Sequence, residues 1–159
     1  MFALTRSTAA LVLSTAAAAL TLAAGPASAA SYNWHSSSDP LIAWEDGAQQ
    51  ALAYGTSYQK DGFLKNHTNY RDPRPGGDDV YTETTYSYYK WCNTAIQWCS
   101  EVGKDQSARD DSGKWQSQYD ADDYSSRNAE RGRIFSKVCE DQNNSGDPCS
   151  RKPYFTFSL

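Results

Sequence analysis

"DVYTETTYSYYKWCNTAIQWC", residues 79–99, decides how this chain folds. Its first half alternates strictly. Val80, Thr82, Thr84, Tyr86 and Tyr88 fall on one side; Tyr81, Glu83, Thr85, Ser87 and Tyr89 fall on the other. Alternation in β-branched and aromatic residues is the pattern of a strand. Its second half repeats a Trp-Cys pair seven residues apart. On a helix, Cys92 and Cys99 would share a face but stand about 10 Å apart, beyond the ~7 Å that a disulfide tolerates between Cα atoms. A bond between them therefore excludes a helix and demands a hairpin or loop. A hairpin in which Cys92 faces Cys99 puts Trp91 and Trp98 on the opposite face as diagonal neighbours. That pair is read first as core packing, and functionally as a stacking platform for a sugar or a base.

The remaining cysteines, Cys139 and Cys149, bracket "EDQNNSGDP", which is almost entirely turn-forming. Zinc favours close C-x2–4-C pairs with histidine at hand; the gaps here are six and nine residues and no histidine adjoins either pair. No C-x-x-C redox motif is present. Two local disulfides, Cys92–Cys99 and Cys139–Cys149, are expected, each contributing roughly 2.5 kcal/mol through chain entropy.

Disulfides suit an exported chain, and the N-terminus reads the same way. Arg6 precedes an uncharged run, Ser7 to Ala24, followed by Gly25-Pro26 and the small-x-small triplet Ala27-Ser28-Ala29. Residues 1–29 are expected to be a secretory leader and residues 30–159 a single secreted domain. No membrane association is expected after cleavage. Loss of Arg6 leaves 14 basic against 19 acidic side chains, a net charge of −5. That balance offers nucleic acid and anionic lipid no general attraction.

Residues 30–159 hold only four Leu, three Ile, three Val and four Phe, against eleven Tyr and five Trp. Aromatic side chains each bury roughly 150–250 Å², so Tyr and Trp are expected to substitute for the missing aliphatics. Further alternation runs through "RGRIFSKVCE", with Ile134, Ser136 and Val138 opposite Arg133, Phe135, Lys137 and Cys139, and through "PYFTFS". The fold expected is mainly β, a small antiparallel sandwich braced by disulfides. A short N-terminal helix is expected over Asp39–Gly55, where Asp39 serves as cap and Pro40 as first helical residue, although "ALAYGTSY" also reads as the start of a strand. The segment Ser100 to Arg133 has few apolar residues and is expected to be partly mobile.

Candidate chemistry is sparse. His35 sits in a serine-rich stretch and His67 in "KNHTNY", read as a loop. No G-x-S-x-G or H-E-x-x-H occurs. The acid clusters Asp72/Asp78/Asp79 and Asp120/Asp122/Asp123 lack the EF-hand order and read as solvated loops. No metal or cofactor is expected. Asn66-His67-Thr68 and Asn143-Asn144-Ser145 match the glycosylation acceptor pattern.

The ending "RGRIFSKVCEDQ…PYFTFSL" resembles the last strands of small secreted guanyl-specific ribonucleases. That resemblance implies acid–base cleavage of RNA, with Glu83 as the carboxylate and Arg131 and Arg133 beside it. The histidine it requires before the final strand is replaced by Lys152-Pro153. The motif "KVCEDQ…DPCS…YFTF" resembles small exported actinomycete proteins, β-rich and of no assigned activity, and so implies no function. The leading expectation is an exported non-catalytic domain that binds an extracellular surface, glycan or protein through exposed aromatics. A secreted hydrolase, or an inhibitor presenting the 139–149 loop to a protease, are the alternatives.

Overall fold

The computed structural model describes residues 30–143 and 146–159, which form two packed antiparallel sheets. The expected leader, residues 1–29, lies outside the described residues, as does part of the second glycosylation pattern. Ten strands follow in chain order: β1 (Ser31–Trp34), β2 (Leu41–Glu45), β3 (Ala48–Lys60), β4 (Phe63–Arg71), β5 (Asp79–Cys92), β6 (Ala95–Trp98), β7 (Val102–Gln106), β8 (Gln116–Asp123), β9 (Arg131–Asp141) and β10 (Tyr154–Ser158). No helix occurs among the described residues.

The first sheet runs β1-β3-β4-β8, with β2 also paired to β3. The second runs β10-β9-β5-β6, with β7 also paired to β5. Its centre is the stretch quoted above: β9 covers β5 on one side from Asp79 to Tyr89, while β6 and β7 share the other.

The Asp39–Gly55 helix does not form. Leu41–Glu45 and Ala48–Lys60 are instead the arms of a hairpin turning on Asp46-Gly47, both at positive φ (50° and 77°). Paired positive φ values define the turn whose twist matches flanking strands. A second Asp-Gly pair, Asp61-Gly62, turns β3 into β4 in the same way. Of the residues whose spacing suggested a helix, Leu41, Trp44, Ala48, Ala51 and Gly55, the strands bury Leu41, Ala51 and Gly55 and leave Trp44 exposed. The segment Ser100 to Arg133, expected to be partly mobile, contains two strands, β7 and β8.

The interior has three tiers. At one end Trp34, Leu41, Ala43, Ala51, Ala53, Tyr70, Val80 and Val138 cluster; at the other, Leu64, Tyr86, Tyr88, Ile134 and Phe157. Between them along the strands lies a buried polar tier of Ser57, Asn66, Thr68, Thr82, Thr84 and Ser136. Asn66 is its hub. It accepts from Ser57 Oγ at 2.9 Å and donates to Thr68 Oγ1 at 2.8 Å and Thr84 Oγ1 at 2.9 Å. An interior polar group costs stability unless it is paired; Ser57, Thr68 and Thr84 are paired through Asn66, whereas the Thr82 hydroxyl is buried without a partner. Burial of Asn66 also closes the first glycosylation pattern in the folded protein.

Both disulfides form locally. Cys92–Cys99 spans 6.0 Å between Cα atoms and Cys139–Cys149 spans 4.1 Å. Cys92 does not stand directly opposite Cys99, because the register pairs Cys92 with Ala95 across a turn that opens on Asn93 at φ 60°.

Candidate functional site

The outer face of the second sheet collects the chemistry-bearing side chains. Alternation aims Glu83, Thr85, Tyr89 and Trp91 of β5 away from the core, since Tyr86 and Tyr88 point into it. The register sets Lys137 and Gln106 beside Glu83, Phe135 and Lys104 beside Thr85, and Arg131 and Trp98 beside Tyr89. From the edge strand, Tyr154 pairs with Phe135 and Thr156 with Arg133.

Trp91 and Trp98 do share this face as diagonal neighbours, with Trp91 opposite Ile96 and Trp98 opposite Tyr89. They are not core. Trp91 is 67% exposed and Trp98 half-buried. The reason is positional: both rings lie on the outer face, away from the first sheet, and β5 runs on beyond Tyr89, where its pairing with β9 ends.

Two arginines are threaded between the rings. The Arg133 guanidinium carbon lies 3.7 Å from the centroid of Trp98 and 4.6 Å from that of Tyr154. That of Arg131 lies 4.2 Å from Tyr89 and 5.8 Å from Trp98. Such contacts are each worth about 0.5–1 kcal/mol where exposed, and they fix the planes of the guanidinium groups. Sequence reading reached Trp91 and Trp98 but missed Tyr154 and Tyr89 as partners of the arginines. Only the pairing of β9 with both neighbours brings those four strands together.

Further along this face, Glu83 receives Lys104 at 2.8 Å, Lys137 at 3.2 Å and Gln106 at 3.1 Å. Burial pushes its pKa up, but the hydrogen bonds from Lys104, Gln106 and Lys137 outweigh that and hold it below the ordinary carboxylate range. A carboxylate so stabilised is a weak proton acceptor. Glu101 is governed alike: burial raises its pKa, while Lys152 and Thr85 bring it down. The ribonuclease-like roles therefore do not assemble. Glu83, Arg131 and Arg133 share a face, but neither histidine is on it.

His35 is the residue at which the chain leaves β1, at φ 56°, bonded through Nδ1 to the Asp39 carbonyl and through Nε2 to Arg151. His67, read as a loop residue, lies within β4 and stacks on Tyr119 with centroids 4.0 Å apart. Alternation splits the acid clusters: Asp120 and Asp122 stay on the inward side of β8, near Asp105, and Asp123 leaves them. Asp122 turns inward to Arg127 and Tyr88, whereas Asp123 turns outward to the Ser125 amide. Asp72 is buried and accepts from the Arg74 amide, while Asp78 and Asp79 are exposed. Among the described residues no three His, Cys, Asp or Glu side chains converge to hold a metal ion.

The 139–149 loop is drawn back onto the sheet. Asp147 accepts from the Tyr81 hydroxyl at 2.7 Å and from the Gln142 amide at 3.1 Å. A groove of about 790 Å³ lies elsewhere, between Tyr32, Tyr124 and Phe157. Its charged lining, Lys60 and Asp61, belongs to the exposed β3–β4 turn. Comparison with protein-family models, with curated proteins and with solved structures returns no match.

Proposed function

We propose that this is an exported, non-catalytic glycan-binding domain that engages its ligand on the outer face of the second sheet. The observation that carries the reading is the solvent-facing set of rings there: Trp91, Trp98, Tyr89 and Tyr154. Trp91 and Tyr154 are 67% and 50% exposed on a chain short of aliphatic residues for its own core. Ring faces offer the apolar side of a sugar a rigid surface at small entropic cost, and tryptophan and tyrosine dominate binding hot spots. Export is supported by the leader-like sequence of residues 1–29 and by the two disulfides. No described helix is long and apolar enough to cross a membrane.

Affinity electrophoresis of the oxidised chain through gels carrying different polysaccharides tests this. Retardation by at least one glycan is expected, and Trp98→Ala should weaken it by about 2 kcal/mol, roughly thirtyfold. Tyr119→Ala, on the outer face of the other sheet, should leave it unchanged. Mobility indifferent to every glycan, or retardation that survives Trp98→Ala, would refute the reading.

A further inference from the structure

We propose that the glycan bound here is acidic, and that Arg131 and Arg133 together grip an oxyanion it carries. This inference rests on the glycan-binding reading and specifies its ligand.

The first ground is the state of the two guanidinium groups. Each carries five N–H donors in a planar fork. Arg133 spends one of them, Nε, on Thr156 Oγ1 at 3.2 Å. Among the described residues neither Arg131 nor Arg133 has a carboxylate within 4.0 Å, whereas Arg74, Arg109 and Arg127 each do. Their guanidinium carbons lie 3.7–4.6 Å from the ring centroids of Tyr89, Trp98 and Tyr154, and apart from Arg133 Nε their N–H donors make no side-chain hydrogen bond among the described residues. A fork held by its faces has already lost the rotamer freedom that gripping an anion would otherwise cost.

The second ground is the local charge. The chain as a whole is acidic, yet the part of this face nearest the two arginines carries Lys104, Arg131, Arg133, Lys137 and Lys152 against Glu83 and Glu101, while Asp79, Asp141 and Asp147 lie at its far end beside Arg109. Both carboxylates are engaged by lysines, so neither neutralises the arginines. Arg131 and Arg133 are two strand rises apart, about 7 Å between Cα atoms. That spacing suits one oxyanion held between two forks, with the sugar ring resting on Trp98. Charge-assisted bonds of this type are roughly twice as strong as neutral ones.

Nucleic acid is also an anionic polymer that stacks on rings. Export, supported by the leader-like sequence of residues 1–29 and the two disulfides, argues against it; the net charge does not separate the two ligands, because it disfavours every anionic polymer alike.

The test is titration of the oxidised chain with polygalacturonate, dextran sulfate, a phosphorylated mannan, neutral dextran and a single-stranded RNA, at low and high salt. At least one of the three acidic non-nucleic polymers should bind tenfold or more tighter than dextran, with the advantage fading as salt screens it. Which of the three wins distinguishes carboxylate, sulfate and phosphate. Arg131→Ala/Arg133→Ala should remove that advantage while leaving neutral-glycan binding within a few-fold. Arg131→Lys/Arg133→Lys keeps charge and stem, loses the fork, and should retain only part of it; it also separates recognition from any loss of folding in the alanine pair. Trp98-dependent binding of neutral dextran, matched by the acidic polymers and untouched by the arginine changes, overturns this inference and leaves the glycan-binding reading standing. Absence of binding to every polymer overturns both, and tightest binding to RNA overturns both.

Discussion

Replacing Asn66 by alanine removes the hub of the polar tier, and the structure sets what that should cost. Three hydrogen bonds of 2.8–2.9 Å disappear together, from Ser57 and to Thr68 and Thr84, all inside the sandwich. Each is worth about 1 kcal/mol net, and the hydroxyls left behind have no water to turn to, so about 3–4 kcal/mol is expected in all. A chain of this size is stable by roughly 5–15 kcal/mol, so the variant should fold but with little margin. At roughly 3–5 °C per kcal/mol, its melting midpoint should fall by about 10–15 °C. Thermal and urea unfolding followed by circular dichroism measure this. A double-mutant cycle with Thr84→Val sharpens it. In the native background that change strands one Asn66 N–H; with Asn66 already gone it strands nothing. The second substitution should therefore cost at least about 1 kcal/mol less in the Asn66→Ala background. A loss below about 1 kcal/mol for Asn66→Ala, or strict additivity in the cycle, would refute the claim that this tier is held by mutual satisfaction.

Three further outcomes are expected. At Gly55 a methyl group would meet the His67 backbone oxygen at 2.2 Å and the Trp34 ring at 2.6 Å; because the oxygen belongs to a paired strand, Gly55→Ala should cost about 2–3 kcal/mol and alter Trp34 fluorescence. Asp105 has its pKa raised by burial first and then by the nearby Asp120 and Asp122 carboxylates, so the folded state holds its proton more tightly than the unfolded state does. Stability from this group is present in acid and lost as pH rises from the ordinary aspartate range through the raised value. Asp105→Asn should therefore raise the melting midpoint at pH 7 and lose that advantage below about pH 4; an advantage that grew on acidification would contradict the assignment. Chain entropy makes the two disulfides nearly equal, about 2.5 kcal/mol each, but Cys139 is buried and Cys92 is not. The serine pair at 139 and 149 should cost about 1–2 kcal/mol more than the pair at 92 and 99, because it buries an unsatisfied hydroxyl.

What could be read in advance depended on whether a strand's buried side was apolar. β9 announces itself through Ile134 and Val138, and β10 through Phe155 and Phe157, so alternation revealed both. In β4 the buried positions are Leu64, Asn66, Thr68 and Tyr70, and in β8 they are Gln116, Gln118, Asp120 and Asp122. Hydropathy finds no stripe in such strands, which is why His67 read as a loop residue and residues 100–133 as loosely ordered. The Asp39–Gly55 error has a different origin. Alanine is small enough to sit on either face and is the best helix former, so Ala48 and Ala51 completed a helical spacing with Leu41, Trp44 and Gly55, and only Asp46-Gly47 carried the deciding turn signal. At the candidate site the tryptophans were visible through their spacing from the cysteines. Their arginine partners were not, because Arg131, Arg133 and Tyr154 reach Trp98 and Tyr89 only after β9 has found its register with two neighbours.

The scarcity of aliphatic residues led to the expectation that Tyr and Trp would fill the core, and part of that is right: Trp34, Tyr70, Tyr81, Tyr86 and Tyr88 are buried. The remainder of the aliphatic deficit is met by serine, threonine and asparagine between the sheets, with Ser57, Thr68 and Thr84 bonded to Asn66, not by the other rings. Trp44, Trp91, Tyr119 and Tyr154 stand more than half or about half exposed. A core limited by supply of apolar surface would draw such side chains inward, since each forfeits hydrophobic stabilisation by staying out. Their position outside is thus a cost that folding itself does not recover, and one of them, Tyr154, stands beside Arg133, which has no carboxylate within 4.0 Å among the described residues. Binding is the process that can recover it, and the second sheet is where the exposed rings and the free guanidinium edges coincide.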